Sequence, residues 1–167
     1  MSVQNAQFDS APVKPEDLSQ PLYGASFGQA VKRYFKKYAT FSGRASRSEY
    51  WWVMLLNTVV TTVLYIWLMM SMANSIDPWT NELTGSAFMV PAGLMMLYSL
   101  AVLVPGVALL VRRLHDGGFS AWFILLGLVP FVGGIAILVF SLLPSKPEGA
   151  RYDAGAQQQQ YLPYPQA

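Results

Sequence analysis

Residues 50–76 read YWWVMLLNTVVTTVLYIWLMMSMANSI and contain no charged side chain. Two later stretches, Leu83–Val111 and Gly117–Ser145, share this property, and the three stretches are 27, 29 and 29 residues long. Together they hold 85 of the 167 residues and none of the 20 Asp, Glu, Lys and Arg residues. Because the surface helices of a soluble domain need a polar face, this segregation excludes a soluble enzyme fold, a disordered chain and a nucleic-acid-binding module. It predicts a small polytopic membrane protein.

Each uncharged stretch exceeds the roughly 20 residues that a helix needs to cross the hydrocarbon core of a bilayer. We therefore predict an all-α integral membrane protein with three transmembrane helices, at about residues 50–72, 87–111 and 121–143. Pro105 lies inside the second stretch and should kink it. Pro130, Gly133 and Gly134 interrupt the third stretch, so two short helices forming a re-entrant hairpin are the alternative there.

Residues 27–39 show a different pattern, which predicts an amphipathic helix. Apolar and aromatic side chains recur from Phe27 to Tyr38 at i, i+3, i+4, i+7, i+8 and i+11, and they fill one arc of about 140° on a helix. Four cations fall outside that arc: Lys32, Arg33, Lys36 and Lys37. This division is typical of a helix that lies in a membrane interface, and a soluble helix packed on a partner protein is the alternative.

The remaining segments define the predicted organisation. Residues 1–26 contain three prolines and are predicted to be a flexible cytosolic leader, residues 27–145 form the membrane domain, and residues 146–167 form a disordered Gln- and Pro-rich tail. Polar residues inside the first span, Asn57 with Thr61 and Thr58 with Thr62, should face another helix. Ser46 and Glu49 have the spacing of a capping box, which places the start of this span just after Ser46.

The distribution of Lys and Arg predicts the orientation. Seven precede the first span, none lie between the first two spans, two follow the second span and two follow the third. The positive-inside rule therefore predicts a cytoplasmic N-terminus. Three full spans would place Lys146 and Arg151 outside, whereas a re-entrant third stretch would return them to the cytosol.

Two short charged segments thereby meet at the cytosolic membrane face, and they are the candidate binding site. They supply these residues: Arg44, Arg47, Glu49, Arg112, Arg113, His115 and Asp116. With four cations against two carboxylates, some arginines should form ion pairs between helix ends and the others should bind anionic lipid. No nucleophile motif, metal-ligand spacing or Gly-rich phosphate loop is present, so no catalytic residue, metal or cofactor is predicted.

The same segments resemble a known family. Phe41-Ser42-Gly43-Arg44-Ala45-Ser46-Arg47-Ser48-Glu49-Tyr50-Trp51, Arg112-Arg113-Leu114-His115-Asp116, Ser120-Ala121-Trp122 and the Pro130 region are similar to domain-of-unknown-function family 805, small bacterial inner-membrane proteins of the YhaH type. The resemblance spans roughly Val31–Tyr152 and implies a bacterial inner membrane without implying an activity. Family members commonly end with Asn-x-Tyr/Phe-Gly, where this chain has Ala150-Arg151-Tyr152-Asp153.

These observations predict a non-enzymatic inner-membrane protein whose cytosolic Arg-rich rim binds anionic lipid or a partner protein. The alternative is a small transporter or channel subunit that acts as an oligomer, with Asn57 and the kinked helices lining its pathway. An enzyme acting on lipid head groups through His115 and Asp116 is a third hypothesis. The predicted partners are the lipid bilayer, anionic lipids and either a second copy of the chain or another membrane protein.

Overall fold

The computed structural model of the protein describes residues 17–153, and the predictions for residues 1–16 and 154–167 lie outside this range. It is helical: α1 (Phe27–Lys36), α2 (Arg47–Ala73), α3 (Met89–Asp116) and α4 (Val132–Leu142), with 3-10 segments at Ala121–Leu128 and Pro147–Tyr152. Between residues 17 and 153 the only β-type pairing is the isolated bridge between Ile76 and Leu83, in the loop that joins α2 to α3.

Helices α2 and α3, of 27 and 28 residues, are both long and apolar enough to cross a membrane. Helix α2 begins with the predicted capping box: the Ser46 hydroxyl accepts from the Glu49 backbone N–H at 3.2 Å, and the Glu49 carboxylate accepts from the Ser46 N–H at 2.9 Å. The two helices extend past the predicted bounds at their charged ends, because the ionisable residues there are covered by other parts of the chain.

The third apolar stretch does not form the single spanning helix predicted for residues 121–143. It is divided at Val129–Phe131 into the Ala121–Leu128 segment and the 11-residue helix α4. At 1.5 Å per residue α4 is about 16 Å long, against roughly 30 Å for a hydrocarbon core. The physical reason is local: Pro130 has no N–H for a continuous helix, and the backbone reverses at Phe131, whose φ is 63°.

The two arms of this hairpin pack directly on each other. A Cβ on Gly133 would collide with the Leu126 carbonyl and lie 2.9 Å from Gly127 Cα, so the close approach of the two backbones requires a glycine at position 133. Phe119, Phe123 and Phe140 form a cluster between the arms, with ring centroids 4.7 to 5.6 Å apart. The stretch also ends where it began, because the Lys146 N–H donates to the Asp116 carbonyl at 2.9 Å, at the C-terminal end of α3.

Helix α1 has three faces where the sequence indicated two. The predicted division of its cations is wrong for Arg33 and Lys37, which are 2% and 4% exposed and lie on the face that packs against the protein. Arg33 can be buried there because Glu49 of α2 neutralises it. On the remaining surface, aromatic side chains such as Phe27 and Phe35 occupy one sector and Lys32 and Lys36 occupy another.

Packed residues also lie beyond both predicted limits of the domain, residues 27 and 145. Leu22 and Ala25, within the predicted leader, are 8% and 3% exposed and belong to the hydrophobic core. On the other side, the Pro147–Tyr152 segment packs against the end of α3 so closely that a Cβ on Gly149 would collide with the His115 carbonyl. Both segments therefore pack against the helices.

Side-chain hydrogen bonds link the helices before Pro105 and at Asn57. Since proline has no N–H, the Ala101 carbonyl loses its helical donor, and the Tyr38 hydroxyl of the α1 C-terminal turn donates to it at 2.7 Å. Asn57 bridges the two long helices as predicted, accepting from the Tyr98 hydroxyl at 2.8 Å. Three hydroxyl residues of α2 are instead exposed on its outer surface: Thr58, Thr61 and Thr62.

Candidate functional site: a charged layer at one end of the bundle

The two charged segments of the sequence are in direct contact at the C-terminal end of α3. The Ala45 N–H donates to the Arg112 carbonyl at 3.0 Å, and the Gly43 N–H donates to the Tyr152 carbonyl at 2.8 Å. Gly43 has φ of +82°, a left-handed conformation that glycine adopts without strain. We call the ionisable residues gathered here the charged layer: Arg33, Lys37, Arg44, Arg47, Glu49, Arg112, Arg113, His115, Asp116 and Asp153.

Arg113 and Asp116 form a completely buried ion pair at the base of the hairpin, with both side chains 0% exposed. The Arg113 guanidinium also donates to the carbonyls of Ser141, at 3.0 Å, and Leu143. The Asp116 carboxylate accepts from the Ser145 hydroxyl at 2.5 Å and from the Tyr23 hydroxyl at 3.0 Å. This pair therefore fixes the C-terminal arm of the hairpin to the end of α3.

A second ion pair joins α1 to α2. Arg33 is paired with Glu49, and the two side chains are 3% and 5% exposed. Arg33 further donates to the carbonyls of Asp17, at 2.6 Å, and Gln20, at 2.5 Å. The sequence places Arg33 on an outward face, but its side chain organises the segment that precedes α1.

A third ion pair anchors the last described residues. Arg44 donates two hydrogen bonds to the Asp153 carboxylate, at 2.9 and 2.6 Å, and these side chains are 14% and 17% exposed. Next to it, His115 stacks on Tyr152, with ring centroids 3.8 Å apart and planes 5° apart. His115 Nδ1 lies 3.1 Å from the Gly43 carbonyl, so the proton of a neutral imidazole belongs on Nδ1.

Two buried cations have no ion pair to a described residue. Arg112 is 2% exposed, and among the side-chain nitrogens and oxygens of residues 17–153 its Nη2 is the one that is fully buried without a hydrogen-bond partner. Lys37 is 4% exposed. Burial, the Arg112 charge and the Arg33 charge lower the pKa of Lys37 to about 8.

Three cations of the predicted site are exposed: Lys32, Lys36 and Arg47. Arg47 lies one turn from Trp51 on α2, beside a cleft of about 230 Å³ that is lined by Ser48, Trp51, Trp52 and Leu55. The Trp52 ring makes an edge contact with Phe27 of α1, with centroids 5.8 Å apart. Exposed aromatic rings of α1 and α2 thus meet near the exposed Arg47.

The side chains of His115 and Asp116, the residues of the lipid head-group enzyme hypothesis, contact other parts of the chain. His115 is held between Gly43 and Tyr152, and Asp116 is held by Arg113, Ser145 and Tyr23. Within residues 17–153, no group of three or more His, Asp and Glu side chains is arranged to hold a metal ion.

Sequence reasoning missed several residues of the charged layer and its supports. Asp153 could have been found from charge balance, because the two motifs supply four arginines and only two carboxylates. Tyr34 and Tyr38 are spaced i,i+4, which places both on one side of α1, but nothing in that spacing indicates Pro105 as their target. Tyr23 and Tyr152 gave no recognisable signal.

Comparisons with known proteins complete the description of the site. Residues 38–154 match a family model described as "Protein of unknown function (DUF805)". Inner membrane protein YhaH of Escherichia coli strain K12 is 34% identical over 120 residues, which cover 72% of this chain and 89% of that protein. Inner membrane protein YhaI of the same strain is 37% identical over 105 residues, covering 63% of this chain and 75% of that protein. No solved structure matches the chain significantly.

Proposed function

The chain belongs to the DUF805 family, and we propose that it is a non-enzymatic inner-membrane protein whose cytosolic rim binds anionic lipid. The observation that carries this proposal is the division of the cations. Internal ion pairs neutralise three of the arginines: Arg33, Arg44 and Arg113. Three other cations are exposed beside aromatic side chains: Lys32, Lys36 and Arg47. A bacterial inner-membrane location agrees with the names of the two relatives.

The lipid contact follows from the three faces of α1. Its buried face packs on α2, so its axis lies against the bundle, and the exposed Phe27 and Phe35 can enter the acyl boundary while Lys32 and Lys36 reach phosphate groups. Arg47 extends this arrangement to α2, where the cleft at Trp51 would accept the upper part of an acyl chain. Each cation near an anionic surface contributes about 1 kcal/mol, or roughly a fivefold change in affinity.

The proposed topology has two spans, α2 and α3, and a re-entrant hairpin. Supporting it, the hairpin starts and ends at the Asp116 end of α3, and Gly43 on the N-terminal side contacts Tyr152 on the C-terminal side. All 11 Lys and Arg residues then lie on one side of the membrane, where the three-span alternative would divide them nine to two. The positive-inside rule makes that side cytosolic.

Lipid analysis of the protein extracted in polymer nanodiscs tests the lipid proposal. The variant Lys32→Gln/Lys36→Gln/Arg47→Gln should lower the ratio of phosphatidylglycerol to phosphatidylethanolamine around the protein, and the effect should weaken as salt is raised because exposed charges are screened. The matched control Lys32→Arg/Lys36→Arg/Arg47→Lys keeps the charge and should keep the ratio. An unchanged ratio in the glutamine variant would remove the proposal.

Reporter fusions test the topology separately. A fluorescent protein fused after Ala167 should be bright in the cytosol, and alkaline phosphatase inserted in the loop after Ala73 should be active outside. Phosphatase activity at Ala167 would instead restore three full spans.

A further inference from the structure

A cavity of about 360 Å³ is lined by residues from all four α-helices. Its lining is apolar except for three residues that carry a polar side-chain group: Tyr34, Tyr50 and Asn57. Small-molecule sites usually have volumes of about 300–1,000 Å³, so this cavity can hold a ligand or a substantial part of one. An apolar lining with few polar groups favours a hydrocarbon ligand that carries a hydrogen-bonding group.

The Tyr50 hydroxyl provides a free hydrogen-bond donor at the cavity wall. Tyr50 is 5% exposed, and its hydroxyl makes no hydrogen bond to a residue between 17 and 153. The oxygen is not one of the completely enclosed atoms of this range, so a ligand can reach it. The other two polar lining residues are engaged, because Tyr34 donates to the Val102 carbonyl at 3.3 Å and Asn57 accepts from Tyr98 at 2.8 Å. A hydroxyl without a partner in an apolar site is unfavourable, so an acceptor on a ligand would stabilise it.

The open side of the cavity faces the hydrocarbon of the membrane. Met54, Leu103 and Val107 belong to the lining and are 39%, 59% and 37% exposed. They lie on α2 and α3, the two helices that are long and apolar enough to cross a bilayer. The molecules that can enter from this side are therefore acyl chains and other membrane-soluble ligands, not water-soluble ones.

The depth of the cavity suits a lipid ester at one end and its chain along the rest. Tyr50 and Asn57 follow Arg47, the first residue of α2, by three and ten residues, which is about 5 and 15 Å along the helix axis. The cavity thus extends from the boundary region, where ester groups join head groups to acyl chains, toward the bilayer interior.

We propose that this cavity binds one acyl chain of a membrane phospholipid, with the Tyr50 hydroxyl donating to the ester carbonyl of that chain. The site recognises an ester and a hydrocarbon chain, and it places no requirement on the charge of the head group. It is therefore separate from the anionic-lipid contact at the exposed rim of Lys32, Lys36 and Arg47, and from the cleft at Trp51.

Native mass spectrometry of the full chain, purified in an uncharged detergent and stripped of lipid, measures the binding. The probes are didecanoyl phosphatidylcholine and didecyl phosphatidylcholine, an ether lipid with the same head group and chain length but no ester carbonyl. We expect one equivalent of the ester lipid to bind saturably, about fivefold more tightly than the ether lipid, the usual effect of one hydrogen bond. Absence of saturable binding of the ester lipid would overturn the proposal.

Filling the cavity tests its location. Gly106 belongs to the lining, and a Cβ added there would make an ordinary contact, 3.8 Å from the Tyr34 hydroxyl. Gly106→Leu should therefore fold and lose the saturable equivalent. The matched control is Gly93→Leu, the same change at an exposed position of α3 with open space around it, which should bind like the parent. Equal binding by Gly106→Leu and the parent would show that the lipid lies elsewhere and would overturn the proposal.

Removing the hydroxyl tests the hydrogen bond in a variant that keeps the ring. Tyr50→Phe should bind the ester lipid about fivefold more weakly and the ether lipid as tightly as the parent does. Tyr65→Phe, at a position of α2 that is 51% exposed, should change neither affinity. If Tyr50→Phe left the preference for the ester lipid intact, the assignment of Tyr50 as the donor would be wrong.

These results are separable from those at the exposed rim. The variant Lys32→Gln/Lys36→Gln/Arg47→Gln leaves the cavity unchanged, so it should bind the zwitterionic probe like the parent even if it no longer enriches phosphatidylglycerol. A parallel loss of both properties in that variant would contradict a separate site for the chain.

Discussion

Replacing Asp116 by Asn should strongly destabilise the protein. Asp116 and Arg113 are both 0% exposed, and the carboxylate also accepts from Ser145 and Tyr23. An asparagine can keep one acceptor oxygen, but it leaves the Arg113 charge buried without a counter-ion. Breaking a buried pair in this way costs about 3–5 kcal/mol, a factor of roughly 10² to 10⁴ in the unfolding equilibrium.

The matched control is Asp153→Asn, which makes the same chemical change in a partly exposed pair. Arg44 and Asp153 are 14% and 17% exposed, so water compensates much of the loss and we expect about 1 kcal/mol. Unfolding of both variants in mixed detergent–SDS micelles measures the difference. Hydrogen exchange should also accelerate near Ser141 and Leu143 in Asp116→Asn, because Arg113 holds those carbonyls. Equal destabilisation by the two variants would refute the assignment of the buried pair as the base of the hairpin.

Three further predictions concern other parts of the bundle. Tyr38→Phe should lower the free energy of unfolding by about 1 kcal/mol in the parent, because it removes the hydrogen bond to the Ala101 carbonyl. In a Pro105→Ala background the backbone N–H of residue 105 can donate to that carbonyl, so Tyr38→Phe should have no effect. Equal losses in the two backgrounds of this double-mutant cycle would contradict the contact at the kink. Gly149→Ala should loosen the C-terminal turn and speed its proteolysis, whereas Gly134→Ala, which has open space, should not. The pKa of Lys37 is lowered from 10.5 to about 8 in the folded state, so the unfolded chain binds more protons between these pH values. The free energy of unfolding should therefore rise with pH across that window. The same pH dependence in Lys37→Met would refute this prediction.

The long helices were predictable because their signals are local. The capping box formed by Ser46 and Glu49, three residues apart, sets the start of α2. Uncharged length alone identifies α2 and α3 as candidate spans. The third stretch was not decidable by length, since 29 uncharged residues suit a full span or a hairpin equally. Pro130 and the glycines showed where it breaks, but not that Lys146 would return to Asp116.

The sequence predicted that the two charged motifs meet, but it did not predict which residues of the charged layer form ion pairs. Periodicity assigned Arg33 to the outward face of α1, because the periodicity of one helix carries no information about Glu49, which lies 16 residues later. Arg44 finds its partner 109 residues away at Asp153. Such pairings depend on tertiary contacts, and they decide which cations remain for a ligand. The lipid-binding role of the exposed cations stays a prediction.

The contacts of Arg113 also impose an order on biosynthesis. Its acceptors at Ser141 and Leu143 are made 28 and 30 residues after it, a delay of a few seconds at ordinary elongation rates. Until then the Arg113 guanidinium is paired with Asp116 but lacks these two carbonyl acceptors, and a chain that ends before Ser141 never supplies them. A chain ending at Phe140 should therefore have a shorter half-life in a pulse-chase experiment than one ending at Asp153. The hydrogen bonds of Arg113 are thus completed only late in translation.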